Sequence, residues 1–232
     1  KIMFFKMLLL LFAISVTAFA DIWGVDVSTL MSNSTASCLK SLAPAGTETF
    51  VIPRAFKSSG NIDTNACPTL ESALAVGINR REAYIFPCPS CSLSAAGQIQ
   101  NTLDNLRSNC ANAFTNFLWL DIEGAQYWLN DYIKNQEFFE SLVDACLSDD
   151  TYQCGIYASK NSWQSLFGSI DYTYAKASTL ALWYPHYENT PNPSFSDWTP
   201  YGGWTAPTMK QYQGTTTVCD MGVDYNWAPA TY

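Results

Sequence analysis

Eight short apolar runs recur along the chain, and they are the feature that most limits how it can fold. Each has the length of a β-strand, and most are separated by segments long enough to return the chain across a sheet. This alternation predicts a parallel sheet wrapped by helices, and eight strands are the number that closes an α/β barrel. The runs are residues 22–27, 49–55, 82–87, 117–122, 153–157, 179–184, 209–212 and a last segment near Val223.

Two of the intervening segments carry helical periodicity. Between the third and fourth strands, apolar residues at steps of three and four define one helical face. They are Ile99, Leu103, Leu106, Cys110 and Phe114. Similar spacing over residues 138–146 predicts a second helix on the barrel wall. Because residues 186–207 are rich in Pro, Gly, Asn and Trp, we expect a modified TIM-like barrel with fewer than eight helices and a loop-rich second half.

The first twenty residues have the pattern of an export signal. Lys1 and Lys6 give a positive start, residues 7–16 are apolar but too short to span a bilayer, and Ala18-Phe19-Ala20 matches a signal-peptidase site. An uncleaved membrane anchor is the alternative. We expect residues 21–232 to form a single catalytic domain, because no linker divides them. The export signal predicts that this domain is secreted or delivered to a lysosomal or phagosomal lumen, without membrane association.

The charge balance argues against nucleic acid as a partner. Once the two lysines of the predicted signal are set aside, ten Lys and Arg face twenty Asp and Glu, a net charge of −10. A polyanion would be repelled, and the sequence has no basic cluster or glycine-rich phosphate loop to reverse this. The acidic balance fits either work in an acidic compartment or solubility alone.

Eight cysteines are expected to form disulfides, because thiols oxidise in exported proteins. Their pairing cannot be assigned from sequence. Cys88-Pro-Ser-Cys91 is interpreted as a structural disulfide, with a free pair or a metal site as alternatives. Since the chain has one histidine, His186, and no second ligand pair, we expect no metal and no cofactor. Asn33-Ser34-Thr35 is a glycosylation sequon, which predicts a surface loop.

Two acids end the fourth predicted strand. Side chains alternate along a strand, so Asp121 and Glu123 are expected to point to the same side, with Cα atoms roughly 6.5 to 7 Å apart. Barrels of this type keep catalytic groups at the carboxyl ends of their strands, and Gly124 lets the chain turn away without covering the acids. Glycoside cleavage needs such a pair, one carboxyl protonated and one charged. A solvated rim is the alternative interpretation of this spacing.

Aromatic residues are abundant beside the predicted strand ends. They are Tyr84, Tyr157, Trp183, Tyr184, Trp198, Tyr201, Trp204, Tyr212 and Trp227. Individually each is expected in the core, but as a group they suit a groove that stacks against sugars.

These motifs together resemble the Ch-type lysozymes, glycoside hydrolase family 25, over nearly all of residues 22–227. The most specific element is Leu120-Asp121-Ile122-Glu123-Gly124 in the fourth strand. The other matching motifs follow the family's order. They are Gly24-Val25-Asp26-Val27-Ser28, Glu82-Ala83-Tyr84-Ile85-Phe86, Ala181-Leu182-Trp183-Tyr184, Met209-Lys210-Gln211-Tyr212 and Val223-Asp224-Tyr225-Asn226.

The resemblance implies a muramidase that acts as a monomer on peptidoglycan glycan strands, cutting the β-1,4 bond between N-acetylmuramic acid and N-acetylglucosamine. Glu123 would be the general acid, and Asp121 would either attack the anomeric carbon or orient the substrate's acetamido group. Asp26 and Asp224 would raise the pKa of their neighbours and hold substrate. The candidate substrate-binding residues are Tyr84, Tyr157, Trp183, Tyr184, Gln211 and Tyr212.

Two departures and two rival functions follow from the same comparison. The second strand ends in Pro53-Arg54-Ala55-Phe56-Lys57, without the acid that many relatives show nearby, and the insert at residues 87–91 looks like a eukaryotic branch. A family 18 chitinase would need further acids where this chain has Trp119 and Asn116. A wall-binding lectin without catalysis is the rival from another class.

Overall fold

A computed structural model describes residues 21–230 and 232, so the export signal predicted for residues 1–20 lies outside the described residues. The strands are β1 (Ile22–Val27), β2 (Glu48–Lys57), β3 (Asn61–Ile62), β4 (Arg80–Arg81), β5 (Ala83–Ile85), β6 (Phe117–Asp121), β7 (Gln153–Tyr157), β8 (Ala181–Pro185), β9 (Met209–Val218) and β10 (Met221–Ala228). The α-helices are α1 (Asn33–Leu42), α2 (Ala66–Ala75), α3 (Ala95–Cys110), α4 (Tyr132–Leu147) and α5 (Lys160–Phe167).

Eight of these strands close into a barrel, which confirms the predicted fold class. The closed order is β1, β2, β5, β6, β7, β8, β9 and β10, and β10 pairs back onto β1. All neighbours are parallel except β10, which is antiparallel to both β9 and β1. The carboxyl ends of seven strands therefore meet at one end of the barrel, where α/β barrels carry their sites.

The last two strands form a hairpin, so β9 is much longer than the run predicted at residues 209–212. Cys219 and Asp220 make the turn with φ of 52° and 58°. Two left-handed residues suit a two-residue hairpin because this turn matches the twist of the flanking strands. A hairpin replaces the last crossover helix and extends beyond the barrel at its carboxyl end.

The two helices predicted from periodicity are present, and the described residues hold five α-helices, fewer than eight as expected. α3 and α4 cover the two periodic segments, although Phe114 lies beyond the end of α3 at Cys110 and is buried there. Residues 186–207 contain no α-helix, which confirms the loop-rich second half. Asn33 is exposed as expected, but it begins α1 and is not in a loop, because the Ser32 hydroxyl caps the helix by accepting a hydrogen bond from the Thr35 N–H.

Four disulfides use all eight cysteines. They join Cys38 to Cys219, Cys67 to Cys110, Cys88 to Cys91, and Cys146 to Cys154. The predicted disulfide within Cys88-Pro-Ser-Cys91 is confirmed. Such density is typical of proteins in oxidising compartments. Within residues 21–230 and 232, no helix combines the length and apolar character that a bilayer crossing needs.

The barrel interior is filled mainly by aromatic side chains. Phe50, Trp119 and Trp183 are almost fully buried and pack with Tyr84 and Tyr157. Trp119 meets Trp183 edge to face with ring centroids 5.5 Å apart. This packing leaves no channel through the barrel, so polar groups at its carboxyl end stand on a rigid apolar floor.

Candidate active site

Four carboxylates line one cavity of about 210 Å³ at the carboxyl end of the barrel. Asp26 lies near the end of β1 and is paired in register with Asp224 on β10. Asp121 ends β6, and Glu123 follows two residues later. Asp121 and Glu123 were expected to point to the same side, and both line this cavity.

Asp26 is buried and held by two side-chain amides. Gln211 Nε2 and Asn226 Nδ2 donate to its Oδ1 at 2.7 and 2.8 Å. Burial, together with the charge of Asp224 across the sheet, raises the pKa of Asp26 to about 8. The Thr215 N–H donates to Asp224 Oδ1 at 2.6 Å, which fixes that carboxylate on the hairpin.

Asp121 has a buried carboxylate oxygen without a hydrogen-bond partner in the described part of the chain. Its side chain is buried, and its Oδ1 has no hydrogen-bond partner among the described residues. Burial first, and then the charge of Glu123, raises the pKa of Asp121 well above its usual range. A buried oxygen without a partner costs free energy, and in a residue that lines a cavity it indicates a candidate functional group.

Glu123 is half-buried, and its backbone is fixed by two local features. Trp128 Nε1 donates to the Glu123 carbonyl at 2.9 Å. Gly124 then adopts φ of 70°, a left-handed conformation in which a side chain would collide with Tyr127. Burial and the neighbouring Asp224 raise the pKa of Glu123, which favours its protonated form.

A second cavity of about 460 Å³ adjoins the first. The cavity with the four acids is called the inner cavity, and this second one is called the outer cavity. Glu123 and Tyr157 line both cavities, whereas Asp121 lines only the inner one. The outer cavity is built from loops and strand ends around α5. Its other lining residues are Ser159, Lys160, Asn161, Tyr184, Pro185, His186, Tyr187, Asp197 and Thr199.

The structure brings five of the six candidate substrate-binding residues to these cavities. Tyr84, Tyr157, Trp183 and Gln211 line the inner cavity, and Tyr184 lines the outer one. Tyr212 lines neither: its hydroxyl accepts a hydrogen bond from Trp23 Nε1 at 3.1 Å, and its ring stacks on Tyr225. Because side chains alternate along β9, Gln211 and Tyr212 point to opposite faces.

Three residues that the sequence argument did not select also belong to this site. Asn226 holds Asp26, and Trp183 Nε1 in turn donates to Asn226 Oδ1 at 2.8 Å. Arg54 and Phe86 line the inner cavity. Asn226 follows Asp224 by two residues, so strand alternation could have selected it. Arg54 lay in a segment without acids and gave no comparable signal.

One group among the described residues has the geometry to hold a metal ion: His186, Glu188 and Asp197. However, the buried Lys210 places its Nζ 2.8 Å from Asp197 and 3.7 Å from Glu188. The ammonium group competes with a metal for the same carboxylate oxygens. The cluster is therefore better explained as an ion-pair network that supports the wall of the outer cavity.

Comparisons with known proteins identify the family of this chain. The family model described as lysozyme-like protein 1 matches residues 17–212. The chain is 40% identical over 228 residues to probable GH family 25 lysozyme 2 of Dictyostelium discoideum, covering 98% of this chain and 97% of that protein.

Solved structures share the fold at lower identity. A family GH25 lysozyme from Aspergillus fumigatus superposes with a TM-score of 0.66 at 19% identity, covering 90% of this chain and 93% of that one. A muramidase from Acremonium alcalophilum gives 0.65 at 21% identity, covering 89% and 93%. The chain belongs to the glycoside hydrolase family 25 lysozymes and is a glycoside hydrolase.

Proposed function

We propose that this lysozyme is a muramidase that hydrolyses the β-1,4 bond between N-acetylmuramic acid and N-acetylglucosamine in bacterial peptidoglycan. The observation that carries the proposal is the position of Glu123 between two cavities while Asp121 lines only the inner one. A glycan that occupies both cavities has one glycosidic oxygen at their boundary. Glu123 is then next to the bond to be cut, and Asp121 faces the sugar on its inner side.

Glu123 acts as the general acid. Cleavage needs a proton on the leaving oxygen, and a carboxyl with a raised pKa keeps that proton at the pH of reaction. Burial and the charge of Asp224 supply this rise in the pKa of Glu123. The rate is therefore expected to fall as the pH rises above the pKa of Glu123.

Asp121 acts on the sugar in the inner cavity. Asp121 lines that cavity, where its carboxylate can accept a hydrogen bond from the acetamido N–H and so orient that group for attack on the anomeric carbon. Burial raises the pKa of Asp121, but the Arg54 guanidinium opposes this rise. In its ionised form Asp121 stabilises the positive charge that develops on the sugar ring as the bond breaks. Asp26, which its pKa of about 8 keeps protonated at neutral pH, and Asp224 hold sugar hydroxyls, and Tyr84 borders the same space.

Fragments released from purified peptidoglycan test the proposal. After borohydride reduction, mass spectrometry is expected to find N-acetylmuramitol at the new ends, because a muramidase leaves muramic acid reducing. Reduced glucosamine ends would contradict the proposal in favour of a glucosaminidase. Released peptides without new reducing ends would indicate an amidase, and no release at all would favour a binding protein.

We further propose that residues 21–232 work as one exported, monomeric catalytic domain. All the residues assigned above come from a single chain, and four disulfides fit an oxidising compartment. Light scattering of the active protein is expected to give the mass of one chain. A dimer, or recovery of the activity only in the reduced cytosol, would contradict this part of the proposal.

A further inference from the structure

We infer that Arg54 is a specificity-determining residue that binds a carboxylate carried by the lactyl arm of the muramyl sugar. Arg54 lies near the end of β2, in register with Tyr84 on β5. It is the one cation among the residues that line the inner cavity, beside four carboxylates. The inference rests on the proposed function, because it names the part of peptidoglycan that this site recognises.

The guanidinium is held in place by contacts on one side only. Arg54 Nε donates to Asp63 Oδ2 at 2.8 Å, and Nη2 donates to the Ser28 carbonyl at 3.2 Å. Arginine has five N–H donors, so these two bonds leave three for another partner. Within residues 21–230 and 232, no hydrogen bond joins Arg54 to any of the four cavity carboxylates, and its side chain is 28% exposed.

Asp63 fixes this arrangement from behind the cavity. Its side chain is fully buried, and Lys57 Nζ lies 3.7 Å from its second oxygen. Two cations around one buried carboxylate leave an excess positive charge at this wall. The hairpin between β2 and β3 that carries the cluster packs on the Cys88–Cys91 disulfide, since an added Cβ on Gly60 would lie 2.6 Å from Cys91 Sγ.

The charge of the substrate explains why such a cation is needed. Peptidoglycan carries carboxylates on its lactyl arms or on the peptides attached to them, and any ionised acid of the cavity repels those groups. A guanidinium with unused donors can accept a carboxylate in two parallel hydrogen bonds. Within the described chain, the direct ion pair of Arg54 is with Asp63 and not with a cavity acid, so its remaining donors are free for the substrate.

The test compares glycan strands that differ only in charge. Peptide-free strands with free lactyl carboxylates are compared with the same strands after conversion of those carboxylates to methylamides. Strands with intact stem peptides form a third substrate. The ratio of kcat/KM for charged over amidated strands is measured for the wild type, Arg54→Met and Arg54→Lys.

The wild type is expected to prefer the charged strands, and Arg54→Met to lower this ratio at least about tenfold, mainly through KM, because a charge-assisted hydrogen bond is lost. Arg54→Lys keeps the charge without the planar donors and is expected to lose less. A loss confined to peptide-bearing strands would assign the carboxylate to the stem peptide, and a loss on peptide-free strands would assign it to the lactyl group.

Lys57→Met is the matched control. This substitution removes a positive charge that lies beside the same buried Asp63. Because Lys57 does not line the cavity, the ratio is expected to stay unchanged. Arg54 also lowers the pKa of Asp121, and losing that effect would slow all substrates alike. An unchanged ratio in Arg54→Met together with an unchanged kcat/KM on peptide-bearing strands, with folding verified by thermal melting, would overturn the inference. A wild type that cuts none of the strands would instead refute the proposed function.

Discussion

The barrel interior holds buried carboxylates at both ends, and their surroundings differ. At the amino end, Glu82 accepts hydrogen bonds from Trp119 Nε1 at 2.6 Å and from the Tyr232 hydroxyl at 3.0 and 3.1 Å. At the carboxyl end, Asp121 keeps one oxygen without a partner, in a cavity shared with three more acids. Burial raises the pKa of both groups.

This comparison separates a structural acid from a candidate catalytic one. Glu82 is closed off by the Tyr232 ring, over which the Arg80 guanidinium lies 4.6 Å from the centroid. No substrate can approach it through that cover. A raised pKa is therefore no sign of catalysis by itself. Asp121 differs from Glu82 because it lines an open cavity and has a carboxylate oxygen without a partner among residues 21–230 and 232.

The largest expected effect is the loss of cleavage in Glu123→Gln. The amide keeps the shape but cannot donate the acid proton, so kcat is expected to fall by about 10²- to 10⁴-fold while binding of the glycan persists. Clearing of a bacterial wall suspension and binding to insoluble peptidoglycan measure the two properties. Glu82→Gln is the matched control, since it makes the same change at the closed end and is expected to keep activity. Equal loss in both variants would remove the distinction between the two ends.

Disulfides at the two ends provide a second contrast. Cys38–Cys219 spans 181 residues and ties the hairpin that carries Asp224, whereas Cys146–Cys154 spans 8 residues between α4 and β7. Replacing each pair with alanine is expected to lower the free energy of unfolding by about 5 and about 2.5 kcal/mol, because a longer loop restricts the unfolded chain more.

Denaturant titrations measure both changes. Only the loss of Cys38–Cys219 is expected to reduce activity at temperatures where both variants are folded, since only that bond holds the hairpin beside the site. Equal destabilisation, or equal loss of activity, would contradict the proposed role of the hairpin.

The pH dependence of stability tests the closed end. Burial raises the pKa of Glu82 from 4.5 to about 7, so the folded state keeps a proton that the unfolded chain has lost between these values. The contribution of Glu82 to the free energy of unfolding is complete below pH 4.5 and is lost as the pH rises to about 7. The free energy of unfolding therefore declines by about 3 kcal/mol over this range. In Glu82→Gln, the decline in unfolding free energy over that window is expected to be shallower. An unchanged slope would show that Glu82 is not the group responsible.

The smallest expected effect concerns the turn after Glu123. Gly124 and Gly46 both have positive φ, but a Cβ on Gly124 would lie 2.9 Å from Tyr127 and one on Gly46 would meet no atom within 4 Å. Gly46→Ala is expected to cost about 1 kcal/mol from backbone strain alone, and Gly124→Ala slightly more together with a loss of activity. Thermal melts and lysis rates measure this pair. Full activity in Gly124→Ala would show that the turn does not position Glu123.

The parallel strands were predictable from sequence because their apolar runs are continuous, as expected for strands buried on both faces. The hairpin at the end of the chain was not predicted in full. Residues 213–223 are rich in threonine and polar residues, and Cys219-Asp220 is not a typical two-residue turn. The length of β9 depends on its pairing with β10 and on the bond to Cys38, which involve residues distant in sequence.

The same division holds within the site. Asp121 and Glu123 could be selected because an apolar strand precedes them, and alternation alone places them on one side. Arg54 could not be selected, because the position of its guanidinium depends on the ion pair with the buried Asp63, which follows the β2–β3 hairpin. Tyr212 illustrates the opposite limit: a matching motif includes residues on both faces of a strand, and only Gln211 faces the cavity.

A structure of the Glu123→Gln variant with a bound muramyl tetrasaccharide tests the central claim most directly. We expect the glycan to cross from the outer to the inner cavity, with the glycosidic oxygen within hydrogen-bonding distance of residue 123 and the acetamido N–H donating to the Asp121 carboxylate. Binding of the glycan outside both cavities, or without a hydrogen bond between its acetamido group and Asp121, would contradict the proposed roles of Glu123 and Asp121.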